Sequence, residues 1–145
     1  MESKKRVLII DSQSSFRDGL KDMVDQTSGY RFVAEAESGR EGMELAREMG
    51  PDLVIMDYTL PDMSGMGVMR ELKRLTPPAK ILVLSATARY DHVANALRAG
   101  ARGFAVKETI GDSLVEAMDT LDQGNFFLDD AVYQEVLISM LTGSA

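Results

Sequence analysis

Four polar residues each stand directly after a short aliphatic run. Asp11 follows Val7-Leu8-Ile9-Ile10, Asp57 follows Leu53-Val54-Ile55-Met56, Ser85 follows Ile81-Leu82-Val83-Leu84, and Lys107 follows Gly103-Phe104-Ala105-Val106. Two carboxylates brought together repel unless a cation is shared between them. A lysine adds a positive point charge and a serine adds a hydroxyl donor. Gathered in one place, these groups suit a hard cation and an anion, and phosphoryl is the anion such a set handles. One polar residue at the end of an apolar run is ordinary, whereas four in succession indicate a site.

The runs are apolar at consecutive positions, as in strands buried on both faces of a parallel sheet. Between them, apolar residues recur at helical spacing: Phe16, Leu20, Met23 and Val24; then Gly42, Met43, Ala46 and Met49; then Met66, Met69 and Leu72. Gly50-Pro51 and Pro77-Pro78 stop the second and third helices. Val93, Ala96 and Leu97 mark a short fourth helix, and Ile110, Leu114, Ala117, Met118 and Leu121 a fifth. With Phe32-Val33-Ala34 as a weaker second strand, the alternation predicts a flavodoxin-like α/β fold, a doubly wound five-stranded parallel sheet in the order 2-1-3-4-5. Ligands of such sheets lie at the carboxyl ends of the strands, where the four polar residues stand. Residues 1–124 make this domain. In 125–145, Asp129-Asp130 can cap an extra C-terminal helix with Val132, Val136, Leu137, Met140 and Leu141 on one face. That stripe is expected to be buried against the body or in a dimer.

Composition removes several classes of function. The 145 residues hold no cysteine, which excludes disulfides, zinc-thiolate sites and thiol catalysis, and only one histidine, His92. A net charge of −7 is wrong for direct nucleic-acid binding by this chain. No run approaches the roughly 20 apolar residues of a membrane span. The run after the basic start ends at Asp11, too early for a secretory signal, so a cytoplasmic location is expected. No glycine-rich phosphate loop follows the first strand. Thr59 stands where a phosphatase-type Asp-x-Asp would need its second acid. His92 reads as a solvated side chain, and Arg70, Lys73 and Arg74 as a solvated helix face.

The chain resembles the receiver domain of bacterial two-component response regulators over about residues 5–124. The resemblance rests on Val7-Leu8-Ile9-Ile10-Asp11; on Pro51 through Asp57 and on to Pro61 and Gly65; on Ile81-Leu82-Val83-Leu84-Ser85-Ala86; and on Gly100 through Lys107. It implies that Asp57 accepts a phosphoryl group from a sensor histidine kinase. It implies Mg²⁺ held by Asp11, Asp57 and the Thr59 carbonyl. Ser85, Ala86 and Lys107 would surround the phosphoryl oxygens, and Phe104 would turn inward as Ser85 moves. Pro61 and Gly65 would shape the loop after the third strand.

Two positions depart from the pattern. Ser12 replaces the second acid of the usual pair, which removes a charge and should weaken metal binding. Glu108 stands where many members carry proline, and points to the NarL/LuxR-type branch. The segment Gly124–Leu141 is similar to the linker that leads from such a receiver to its helix-turn-helix. No such output domain follows in the sequence.

The implied function is a phosphorylation-controlled signalling switch that regulates transcription through that absent domain, not a metabolic enzyme. The alternative is a receiver-like docking or dimerisation module working without phosphate, and a small phosphatase of similar fold is a third possibility. A homodimer is expected as a partner state.

Overall fold

The computed structural model describes residues 3–143. The last two residues of the expected C-terminal linker, Ser144 and Ala145, lie outside them. Chain order is β1 (Lys5–Ile10), α1 (Ser14–Gln26), β2 (Tyr30–Ala36), α2 (Gly39–Met49), β3 (Leu53–Asp57), α3 (Gly65–Leu75), β4 (Lys80–Ser85), α4 (Tyr90–Arg98), β5 (Gly103–Val106), α5 (Ile110–Asp122), β6 (Phe127–Leu128) and α6 (Asp130–Thr142). The sheet order is β2-β1-β3-β4-β5-β6, with every pairing parallel.

Successive strand residues point to opposite faces, and both faces are covered. Leu8, Ile10, Val54, Met56, Ile81, Val83 and Phe104 pack against α2, α3, α4 and α6. Val7, Ile9, Leu53, Ile55, Leu82, Leu84 and Ala105 pack against α1 and α5. This is why the strand sequences show no polar alternation. β2, at the sheet edge, is only partly buried, which accounts for its weaker apolar signal.

The sheet has six strands rather than five. Phe127 and Leu128 pair with Gly103 and Phe104 at the far edge. Two residues are too few to show a period, so the pairing has no signature beyond a short apolar run. The pairing brings Asp129 to the end of β5, where its Oδ2 accepts the Val106 N–H at 2.7 Å. A longer β6 would have supplied that acceptor from its backbone. The other oxygen, Oδ1, accepts the Val132 N–H at 2.9 Å and caps α6.

The apolar stripe expected on the last helix is split. Val132 is fully buried and Val136 packs against the same core, whereas Met140 and Leu141 are 67% and 84% exposed. The face that docks is Val132, Val136 and Ser139. α6 is apolar on nearly every side, so spacing alone could not choose its inward face. The Asp129 cap and Val132 choose it.

Asp129→Ala should remove a cap worth about 1 kcal/mol and leave a buried N–H unpaired at about 1–3 kcal/mol. Urea unfolding should show a loss of about 2–4 kcal/mol at unchanged m-value. A loss below about 1 kcal/mol would mean that the carboxylate does not hold α6 to the sheet.

Candidate functional site

The sheet register brings the strand ends together. Ile10 pairs with Met56 and Ser85 with Val106, so Asp11 and Asp57 leave adjacent strands side by side, and Lys107 leaves β5 two strands away. Asp11, Asp57 and Ser85 are buried, at 1%, 8% and 4% exposure. Lys107 Nζ lies 2.7 Å from Asp11 Oδ2 and 2.8 Å from Asp57 Oδ2. The ammonium also donates to Gln13 Oε1 at 3.3 Å and sits 4.6 Å from the centre of the Phe16 ring. Burial opposes its charge, but the two carboxylates outweigh this and hold Lys107 above its ordinary pKa.

The remaining carboxylate oxygens are held by the backbone. Gln13 N–H donates to Asp11 Oδ1 at 2.8 Å, and Thr59 N–H donates to Asp57 Oδ1 at 3.0 Å. Both are Asx-type turns that fix side-chain direction. Ser85 Oγ accepts the Thr87 N–H at 3.3 Å. Over these groups lies a cavity of about 500 Å³, lined by Ser12, Gln13, Asp57, Thr59, Ser85, Ala86, Thr87, His92 and Lys107. Asp11 lies against Lys107 at its margin.

Surrounding elements pin the loops. Gly65 begins α3 against the backbone of Tyr58, where an added Cβ would lie 2.4 Å from the Tyr58 carbonyl oxygen. Asp62, in the loop after β3, accepts the Gly39 and Arg40 N–H groups at 2.8 and 3.0 Å at the start of α2. Those bonds hold its carboxyl below the usual range. On α1, the buried Arg17 donates to the Asp11 carbonyl and, at 2.8 Å, to Glu35 Oε1. Lys21 Nζ reaches Glu35 Oε2 at 2.6 Å. Lys21 and Arg17 together lower the Glu35 pKa.

Most of the residues singled out from sequence therefore meet. Asp11, Ser12, Asp57, Thr59, Ser85, Ala86 and Lys107 share one site. Phe104 does not line it. Its ring is fully buried beneath the sheet, 6.1 Å from Tyr58, so in this structure the aromatic side chain is already inward. His92 is not a solvated side chain. It is half-buried, stacks on Tyr58 at 4.4 Å and 19°, and faces the cavity. The packing of α4 against the loop after β3 creates that contact, which nothing in the neighbouring sequence announces. Gln13 and Arg17 also escaped the sequence reading, and Phe16 was read there only as part of a helix face. They sit on or just before α1, and their partners come from β2 and β5.

The donor set suits a hard divalent cation. Two carboxylates converge on a single ammonium, and Thr59 lines the same cavity. Magnesium takes one or two carboxylates and fills the rest of its octahedron with water. Among the described residues no group of three or more His, Asp or Glu side chains is placed to hold a metal, so the charge available is that of two carboxylates.

The family model for the response regulator receiver domain matches residues 7–119. The chain belongs to this family. It is 40% identical over 119 residues to the chemotaxis protein CheY of Thermotoga maritima, covering 82% of this chain and 98% of that protein. It is 32% identical to the transcriptional regulatory protein DegU of Brevibacillus brevis, with 94% of this chain aligned to 58% of that regulator's length. A LuxR-family two-component response regulator from Aurantimonas superposes with a TM-score of 0.90 at 29% identity, covering 96% of this chain and 99% of that one. The receiver's relatives thus include both the chemotaxis type and the NarL/LuxR type. No helix among the described residues is long and apolar enough to cross a membrane.

Because Glu35 has a lowered pKa, its stabilising effect is complete above its ordinary value of 4.5 and is lost as pH falls through the folded-state value. Glu35→Gln should therefore be less stable than wild type at pH 7. The gap should close progressively below about pH 4.5 in urea titrations at several pH values. A gap independent of pH would assign the effect to packing.

Proposed function

We propose that this receiver is a phosphorylation-controlled switch with Asp57 as acceptor. The supporting observation is the convergence of the Asp11 and Asp57 carboxylates on the Lys107 ammonium beside one cavity. A carboxylate oxygen of Asp57 forms the new P–O bond while the P–N bond of a kinase phosphohistidine breaks. The product is an acyl phosphate, and the histidine keeps the electron pair of the broken bond. Asp11, Asp57 and the Thr59 carbonyl would hold Mg²⁺, which neutralises charge on the transferring phosphoryl group. Lys107 would pair with one phosphoryl oxygen, the Ser85 hydroxyl would turn to another, and small Ala86 leaves the space they need. Phe104, at the end of that path, would respond through its packing under β6 and α6. A NarL/LuxR-type member with this site would act in the cytoplasm and regulate transcription through a separate DNA-binding domain. Residues 1–124 would be the receiver and 125–145 the link towards that domain.

A second function is favoured by Ser12. With two acids instead of three, Lys107 already bridges the pair and leaves the three groups at −1. That balance suits a docking or dimerisation module working without phosphate.

Acetyl phosphate with Mg²⁺ should add one phosphoryl group, read by intact mass, and Asp57→Asn should take none. Labelling that persists in the variant places the acceptor elsewhere, and no labelling of wild type selects the docking module. Ser12→Asp should tighten magnesium binding by about tenfold, since ligand charge tunes affinity. Unchanged affinity would show that charge at position 12 does not control the site.

A further inference from the structure

Among the described residues, the outer face of α6 is left largely uncovered. Tyr133, Leu137, Met140 and Leu141 fall at i, i+4, i+7 and i+8 on one stripe beside the docked Val132–Val136–Ser139 face, with Leu137 half-buried and the other three exposed. Tyr133 is 51% exposed, Met140 67% and Leu141 84%, and Ile138 beside them is 54% exposed. A helix apolar all round belongs in an interior, yet the body covers only one side of this one.

The chemistry of the stripe selects its occupant. The chain carries a net charge of −7, so two copies repel over most of their surfaces. The C-terminal half of α6, from Val136 to Thr142, has no ionisable side chain, and the acids Asp130 and Glu135 lie in the N-terminal half. Parallel pairing would set acid against acid. Antiparallel pairing lays each acidic half over the uncharged half of its partner. Tyr133, Leu137 and Leu141 are evenly spaced about Leu137, so a two-fold axis at Leu137 places Tyr133 over the partner's Leu141. We propose that the α6 stripe is a self-complementary surface on which a second copy of this chain docks antiparallel. A helix of 13 residues is about 20 Å long. It covers less than the roughly 800 Å² per partner of a standard interface, so the dimer should be weak, with Kd on the order of 10 μM. The proposal does not rest on phosphorylation of Asp57.

The absence of cysteine allows a direct test in the full chain carrying Asp57→Asn, which removes phosphoryl chemistry from the outcome. Leu137→Cys should form a disulfide-linked dimer alone under mild oxidation. Tyr133→Cys and Leu141→Cys should cross-link chiefly when mixed. Sedimentation velocity should show association across about 1–200 μM, and Met140→Glu should weaken it at least tenfold with the urea midpoint unchanged. Tyr133→Cys linking to itself as readily as to Leu141→Cys would overturn the antiparallel geometry. A monomer throughout the range would overturn the proposal and leave the stripe for a different occupant, such as an output domain. A dimer indifferent to Met140→Glu would overturn it by placing the interface elsewhere.

Discussion

Asp11 and Asp57 are buried on adjacent strands, and their proximity is tolerable because Lys107 puts one ammonium within 2.8 Å of both. An uncompensated buried charge costs several kcal/mol, so removing the lysine would drive the two acids apart. The cation must arrive from β5 with a reach set by the Lys107 side chain, which requires the order β1-β3-β4-β5 and strands that end level. Neutral surroundings hold it there. Phe16 covers the ammonium, the Gln13 amide accepts one of its protons, and Arg17 is already balanced by Glu35. The excess charge of the cluster is therefore −1, a small attraction for any arriving cation.

The same constraint explains how rigid the surrounding loops are. Each carboxylate has one oxygen on Lys107 and the other on a backbone N–H two residues ahead. The carboxylates thus have no free rotamer. The loop after β3 is tied twice more, through Asp62 to the start of α2 and through the close approach of Gly65 to Tyr58. On the β4 side, the Ser85 carbonyl accepts the Lys107 N–H at 2.8 Å, while its Oγ accepts the Thr87 N–H at a longer 3.3 Å.

The positions that form the site were legible because both-faces burial writes an unbroken apolar run, and the first polar residue after such a run marks a strand end. Asp11, Asp57, Ser85 and Lys107 were found that way. What sequence hid depends on contacts between elements. His92 looked like any polar residue opening a helix until α4 set it on Tyr58. Arg17 has its acid on β2, and no local pattern links the two. β6 is too short for a period, and a helix apolar on nearly every side, such as α6, gives no phase from which to read an inward face.

Asp129 holds two elements with one rigid planar group. Its oxygens are bonded to Val106, next to Lys107, and to the first turn of α6. A carboxylate cannot stretch, so these bonds act as a crank. If the end of β5 shifts, the first turn of α6 must follow or a buried hydrogen bond must break, at a cost of about 1–3 kcal/mol. Leu141, near the far end of the same helix, is 84% exposed.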